Sequence, residues 1–210
     1  MVRRAGPAGE LHAREVPSPA RREVWILTPS RRALVLGSAQ LDAVVRPDLE
    51  GIDIVRRHSG GGAVLLEPGG VLWVDVIVPA GDPLWVDDVG RAFHWLGATW
   101  AAALASCGVE GAVVHEGAMR RTDWSPLVCF AGLGPGEVTV GGRKVVGISQ
   151  RRTRVAARFQ CVVLERWDPS AMAAMFEPAV LPRAALGDLA AGPGVPLGQL
   201  ADAFLAQLPV

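Results

Sequence analysis

The sequence predicts an α+β fold in which a mixed, largely antiparallel sheet packs against helices. Short apolar runs separated by turns fill the first third, one long segment with helical spacing follows, and alternating runs around a two-glycine turn come later. No glycine-rich turn links a strand to a helix in a βαβ unit, and the GxxxxGK[ST] motif is absent from the sequence. A Rossmann or P-loop domain is therefore excluded.

The chain of 210 residues, half of them hydrophobic, is long enough for one well-packed domain. Residues 1–23 are rich in Arg, Ala, Gly and Pro, and we expect a loose N-terminal arm with one short helix around 10–15. Residues 24–210 are predicted to form a single domain.

Apolar runs bounded by polar or glycine-rich turns predict five strands in the first part of that domain, at 24–28, 33–37, 52–55, 63–66 and 71–78. A long helix is predicted next, with Asp82 as its N-cap, Pro83 at its first position and Gly108 at its end. Cys107 lies on the apolar face of this helix, which favours a core thiol.

The second half predicts more strands and then short helices. The strands are expected at 113–115, 127–130, 137–140, 143–148 and 159–164, and the third and fourth form a hairpin around Gly141 and Gly142. A helix is expected at 171–176, with further helical pieces between 183 and 208.

Charge and composition indicate which classes of partner the protein can bind and in which compartment we expect it. Basic and acidic residues number 21 each, so sequence-independent binding to nucleic acid is not expected. No apolar run approaches the roughly 20 residues of a membrane helix, and no secretory signal is visible. The three cysteines are widely spaced and no histidine pair has metal-ligand spacing, so we expect a cytoplasmic protein with free thiols and no metal site.

The chain has a single lysine, Lys144, among 20 arginines. The lysine ammonium is compact and mobile and has three donors, whereas the arginine guanidinium is a rigid planar fork. Lys144 is therefore a candidate for a role that arginine cannot fill. It follows the Gly141-Gly142 turn at the start of a strand, from which it could polarise an acyl carbonyl or balance a phosphate. The alternative is a solvated strand residue beside Arg143.

The segment RRHSGGGAV, residues 56–64, contains three consecutive glycines, which we call the glycine loop (Gly60–Gly62). Backbone amides without side-chain cover can approach a carbonyl or phosphate oxygen closely. Arg56 and Arg57 add donors for such an anion, with Ser59 beside them. The alternative is a flexible connection between two strands.

Cys129 lies in an apolar run close to a turn-rich segment, GLGPGE. It is either an acyl nucleophile or a core thiol. Cys161 lies inside a predicted buried strand and is interpreted as a core residue.

The segment RRHSGGGAV, followed about 80 residues later by GGRKVVGISQRR, resembles the lipoate–protein ligase and octanoyltransferase family, which shares its catalytic domain with biotin–protein ligases. ALVLGSAQ, residues 33–40, resembles an earlier family segment. The likeness spans residues 24–180. It implies a biotin/lipoate-ligase-like catalytic domain over 24–210, with a tunnel for a medium-chain acyl group.

The resemblance also implies roles for individual residues. Lys144 and Cys129 are the catalytic candidates, with Lys144 at the acyl carbonyl or the activating phosphate. The substrate-binding candidates are Arg56, Arg57, Ser59, Gly60, Gly61, Gly62, Ala63, Arg143, Gly147, Ser149 and Gln150. The implied acceptor is a lysine on a lipoyl domain of a 2-oxoacid dehydrogenase or a glycine cleavage protein.

The family contains two chemistries, and the sequence leaves both open. Ligases activate lipoate with ATP and magnesium and carry an Asn-Asp pair where this chain has Cys129-Phe130, with Asp123 offset. One octanoyltransferase branch places a nucleophilic Cys before Phe and takes octanoate from acyl carrier protein, with no permanently bound cofactor. A third possibility is an inactive relative that only binds the acyl group.

Overall fold

The computed structural model describes residues 1–209, apart from the side chain of Ala43. Within these residues, ten strands and four α-helices follow one another along the chain. The strands are β1 (Val2–Gly6), β2 (Glu23–Pro29), β3 (Ala33–Leu36), β4 (Asp53–Arg56), β5 (Val64–Leu66), β6 (Val71–Pro79), β7 (Ala112–Val114), β8 (Val138–Val140), β9 (Arg143–Arg152) and β10 (Ala156–Leu164). The helices are α1 (Ala8–Ala13), α2 (His94–Ser106), α3 (Pro169–Ala173) and α4 (Leu197–Gln207).

The strands form two sheets. The larger has seven strands in the order β1-β2-β6-β10-β9-β8-β7, antiparallel except for the parallel pair β1 and β2. The smaller has the order β4-β3-β5, with β3 parallel to β4 and antiparallel to β5. The predicted α+β class with a mixed, largely antiparallel sheet is confirmed. The division of the early strands into a second sheet was not predicted.

Apolar residues fill both faces of the larger sheet. On one face α2 and α4 cover the strands, and Trp100 stacks on Phe204 with ring centroids 4.1 Å apart. On the other face the smaller sheet packs against β2 and β6, with Trp73, Val35 and Leu66 in the shared core. The space between the two sheets is where the candidate site lies.

The N-terminal segment differs from the predicted loose arm. β1 adds to the edge of the larger sheet, and α1 packs onto β4 with Ala8 and Leu11 buried. Arg158 on β10 holds the end of α1, donating to the carbonyls of Leu11, His12 and Arg14 at 2.6–3.0 Å. The pairing of β1 uses backbone groups, which no side-chain pattern reveals.

Two further element predictions were wrong in their details. Residues 82–90 form turns, and α2 begins only at His94, because the Asp82 carboxylate pairs with Arg22 and accepts from the Leu84 amide instead of capping a helix. Residues 127–130 were expected to be a strand, but Cys129–Ala131 forms a 3₁₀ turn. Within the described residues, no helix is long and apolar enough to cross a membrane.

Candidate functional site

The glycine loop lies directly against the segment that leads into Cys129. A Cβ on Gly62 would lie 2.5 Å from the backbone of Val128, so only glycine fits there, and Gly61 has a φ of 97°. Ala63, which is fully buried, links the two segments: its amide donates to Leu127 at 2.7 Å, and its carbonyl accepts from the Cys129 amide at 3.0 Å. Within the described chain the three loop amides have no hydrogen-bond partner, which leaves them free to donate to a ligand.

The side chain of Arg57 holds the glycine loop in place. Its buried guanidinium donates to the carbonyls of Val35, Gly60 and Gly62 at 2.8–3.2 Å and to Ser59 Oγ at 3.1 Å. Burial lowers the pKa of this guanidinium from its ordinary value. Arg57 therefore fixes the carbonyls of Gly60 and Gly62, while the loop amides keep their hydrogen-bonding capacity for a ligand.

Arg56 points away from the site. Its guanidinium donates to the carbonyls of Gly37 and Gln40 at 2.9 and 2.6 Å and pairs with Asp42. The expected place of Arg56 in the lining of the ligand loop is therefore not what the structure shows. Its role is to hold the turn after β3, and Gly37 packs against the carbonyl of Gly61 there.

Lys144 shares a cavity lining with the glycine loop and is almost completely buried. Its Nζ donates to the carbonyls of Cys129 and Gly132 at 2.9 and 3.1 Å and lies 2.6 Å from Oε2 of Glu137. Burial opposes its charge, but the neighbouring Cys129 and Glu137 outweigh burial and hold the pKa of Lys144 above its ordinary value. All three N–H groups are engaged, so the ammonium is fixed in position and charged at neutral pH.

Glu137 is the partner that sequence reasoning missed. Oε2 also accepts from the Gly134 amide at 2.7 Å, and Oε1 accepts from the Ile148 amide at 3.0 Å. The available signal was a single carboxylate between the turn residues GLGPG and the apolar run beginning at Val138. Glu137 thus ties the turn before β8 to β9 and to Lys144.

Cys129 stands where two spaces meet. Its Sγ lies 3.9 Å from Nζ of Lys144. On one side is a space that we call the chamber, and its lining includes Gly60, Gly61, Gly62, Phe93, Met119, Ser125, Cys129, Glu137, Lys144, Ile148 and Ser149. On the other side is a narrow apolar space that we call the slot. The sulfur can therefore reach a polar reacting group in the chamber and an apolar tail in the slot.

The slot runs between the two sheets. Apolar side chains form most of its wall, among them Val35, Val64, Leu66, Trp73, Phe130, Ile148 and Val162. The wall also has polar residues, among them His12, whose Nδ1 lies 3.2 Å from Gln160 Nε2 and whose ring packs on Trp73 with centroids 4.4 Å apart. Sequence reasoning did not single out His12, because its place in the slot depends on the docking of α1.

The predicted residues of the second motif take different places. Ser149 Oγ lies 3.1 Å from Ser59 Oγ and joins β9 to the glycine loop. Gly147 lines the slot, close to Phe130 and Lys144. Arg143 is exposed beyond the site, and Gln150 lies outside both linings, its buried amide without a partner in the described chain. The structure therefore joins Ser149 and Gly147 to the site and leaves Arg143 and Gln150 outside it.

The described residues do not offer a magnesium site at the chamber. They hold no group of three or more His, Cys, Asp and Glu side chains arranged for a metal. Glu137, the one carboxylate in the chamber lining, already accepts from Lys144, Gly134 and Ile148. Three of the roughly four lone-pair positions of this carboxylate are therefore taken, which leaves little capacity to hold a magnesium ion.

Comparison with known proteins identifies the type of domain. The model of the family described as the lipoyl protein ligase A/B catalytic domain matches residues 10–190. No curated protein matches the chain. The fold is similar to that of a lipoate-protein ligase A bound with ATP, with a TM-score of 0.66, 17% identity, and coverage of 89% of this chain and 71% of the other.

Two structures from Thermoplasma acidophilum are also similar. A bipartite lipoate protein ligase, studied with its E2 lipoyl domain, has a TM-score of 0.71 at 15% identity, over 98% of this chain and 80% of the other. A protein of the lipoate protein ligase type with bound lipoic acid has a TM-score of 0.65 at 16% identity, over 89% and 71%. At these identities the structural likeness shows a shared fold.

Proposed function

The chain belongs to the lipoyl protein ligase A/B catalytic-domain family, and from that premise we propose that it attaches an octanoyl or lipoyl group to a lysine of a lipoyl domain, with Cys129 as the acyl carrier. The observation that supports Cys129 most directly is its position. Its sulfur lies 3.9 Å from a fixed ammonium, and the residue lines both the chamber and the apolar slot. A cysteine that only fills the core would need neither a nearby ammonium nor a place in the lining of these two spaces.

In the first step the Cys129 thiolate attacks the carbonyl carbon of an octanoyl thioester on acyl carrier protein. A bond from Sγ to the carbonyl carbon forms, and the carrier thiolate leaves and takes up the proton that Cys129 gave up. The oxyanion of the tetrahedral intermediate accepts hydrogen bonds from the unpartnered amides of Gly60–Gly62. The Lys144 ammonium stabilises the negative charge that develops beside it.

In the second step the neutral ε-amine of the acceptor lysine attacks the thioester carbonyl. The bond to Sγ breaks, the amide forms, and the proton of the amine returns to the sulfur. The acyl tail stays in the slot between the sheets through both steps, because its apolar wall lowers the free energy of a buried hydrocarbon chain.

The ATP-dependent alternative uses the same loop differently. The bare amides of Gly60–Gly62 could bind the α-phosphate of an acyl-adenylate. The chamber lining offers one carboxylate, Glu137, and three partners already occupy it, whereas Cys129 lines both the chamber and the slot. Transfer from a carrier-bound thioester is therefore the function that this geometry supports best.

Intact mass of the protein after incubation with octanoyl acyl carrier protein tests the proposal. We expect a thioester adduct on the wild type that hydroxylamine removes, no adduct on Cys129→Ala, and a normal adduct on Cys107→Ala, a partly buried thiol at the end of α2. Addition of an apo lipoyl domain should then move the octanoyl group to its lysine. Modification of the lipoyl domain only with ATP, magnesium and lipoate would contradict the carrier mechanism and favour a ligase. Acyl binding without any transfer would favour an inactive relative.

A further inference from the structure

A second cavity lies directly behind the wall of the slot. It has a volume of about 300 Å³ and opens between the turn before β6 and the connection from β10 to α3. Its floor is apolar, with Leu65, Val128, Leu164 and Met172, and its rim carries Glu67 and Glu165. We call it the outer cavity.

Phe130 and Val64 line both the slot and the outer cavity. The Phe130 ring therefore forms a wall one side chain thick. Towards the chamber, its ring centroid lies 5.1 Å from Nζ of Lys144, and its Cζ lies 3.5 Å from the place of a Cβ on Gly147. Towards the outer cavity the ring stacks on Trp167, with centroids 6.0 Å apart and planes inclined by 25°.

This wall is held in place from both sides. The Trp167 indole donates to the carbonyls of Leu186 and Gly187 at 3.1 and 3.0 Å, which fixes the ring on which Phe130 stacks. Phe130 itself lies in the 3₁₀ turn that carries Cys129 and is 2% exposed. The turn that positions the sulfur thus also positions the wall.

The two spaces differ greatly in size. The slot is narrow and leaves about 40 Å³ for the centre of a water-sized sphere. The outer cavity, at about 300 Å³, is at the lower end of ligand-sized cavities. A hydrocarbon chain that extends from Cys129 along the slot reaches the outer cavity only past Phe130 and Val64, the two residues that line both spaces.

We propose that Phe130 is the residue that limits the length of the acyl chain, by separating the slot beside Cys129 from the outer cavity. This inference rests on the proposed acyl transfer. Medium-chain acyl groups end at the ring, and chains of about 14–16 carbons are excluded while the ring is in place. Removal of the ring joins the two spaces into one apolar tunnel.

Calorimetric titration with octanoate and hexadecanoate tests this on the free acids, without any transfer reaction. We expect Phe130→Ala to bind hexadecanoate at least ~10-fold more tightly than the wild type, because burial of each further methylene contributes roughly 4-fold in affinity. Octanoate affinity should change by less than about 3-fold. Met172→Ala, which enlarges the outer cavity without touching the wall, should give no gain for hexadecanoate.

Two further variants keep the proposal testable if Phe130→Ala does not fold. Phe130→Leu keeps a buried apolar side chain and should give a smaller gain in the same direction. Ala171→Phe, placed in the outer cavity from α3, should cancel the gain when combined with Phe130→Ala. Unchanged hexadecanoate affinity in a folded Phe130→Leu or Phe130→Ala protein would overturn the proposal, as would an equal gain in Met172→Ala.

Transfer assays with octanoyl and hexadecanoyl carrier protein separate the two proposals. Octanoyl transfer with no change of chain-length preference in Phe130→Ala contradicts the role of Phe130 alone. Absence of transfer in the wild type, together with the expected shift in fatty-acid binding, contradicts the proposed function and supports the role of Phe130 as the wall.

Discussion

Lys144 and Glu137 form an ion pair in the interior of the protein, with Nζ 2.6 Å from Oε2 and neither side chain more than 5% exposed. The pair is also hydrogen-bonded to four backbone groups: the carbonyls of Cys129 and Gly132 and the amides of Gly134 and Ile148. It therefore joins the turn that carries Cys129, the turn before β8 and strand β9. The position of the candidate nucleophile depends on this pair.

Replacement of Lys144 by arginine should reduce acyl transfer by at least about 100-fold, although the charge is kept. A planar guanidinium cannot reproduce the three directions in which Nζ donates to Cys129, Gly132 and Glu137. The rate of octanoyl transfer to a lipoyl domain is the measurement. Arg154→Ala, on the exposed turn between β9 and β10, is the control and should transfer at the wild-type rate. A Lys144→Arg protein with near-normal rate would show that Lys144 only supplies charge.

Removal of one partner of the pair should be more costly than removal of both. Lys144→Met leaves the Glu137 carboxylate buried without its cation, and we expect a loss of about 3–5 kcal/mol in the free energy of unfolding. The double variant Lys144→Met/Glu137→Met should lose less than the sum of the two single variants. Urea unfolding of the four proteins measures this coupling. Strictly additive losses would mean that the two groups do not stabilise one another.

Two glycines of the same loop should respond differently to alanine. A Cβ at Gly62 would meet the Val128 backbone at 2.5 Å, whereas a Cβ at Gly60 would meet nothing within 4 Å. We expect Gly62→Ala to destabilise the protein by about 1–3 kcal/mol, since the added methyl must displace the backbone that leads into Cys129. Gly60→Ala should leave the melting temperature nearly unchanged. Equal melting temperatures for the two variants would refute the close packing of the loop.

Stability should fall in mild acid because of His12. Burial, followed by the charges of Arg158, Arg57 and His58, lowers the pKa of His12 to about 3, against 6.5 in the unfolded chain. Between these values the unfolded chain binds a proton that the folded chain does not bind. The contribution of His12 to stability is therefore complete above pH 6.5 and is lost as the pH falls, by at most about 1.4 kcal/mol per pH unit.

His12→Asn removes this titration and should give a flatter curve of unfolding free energy against pH between about 6.5 and 3. Urea unfolding at several pH values in both proteins provides the comparison, because all other titrating groups are shared. Parallel curves for the wild type and His12→Asn would show that the folded imidazole takes up protons as readily as the unfolded one.

Prediction from the sequence was most accurate where a local pattern is typical of only one kind of structure. The strand predicted at 71–78 corresponds to β6, and the hairpin around Gly141 and Gly142 corresponds to β8 and β9. The helix prediction was wrong for residues 82–90. Asp82 and Pro83 are typical of a helix start, but the Asp82 carboxylate pairs with the distant Arg22 instead. The sequence also could not decide the place of Arg56, because its guanidinium chemistry fits an anion site and a turn equally well.

From the sequence alone, the two motifs and the single lysine determined the family and the residues from which a site could be built. Which of those residues meet was decided only by tertiary structure. Glu137, His12 and Phe130 reach the site from a turn, an N-terminal helix and a 3₁₀ turn whose docking depends on long-range backbone contacts. Side-chain periodicity reports which face of an element is buried, and it carries no information about which buried face lies opposite.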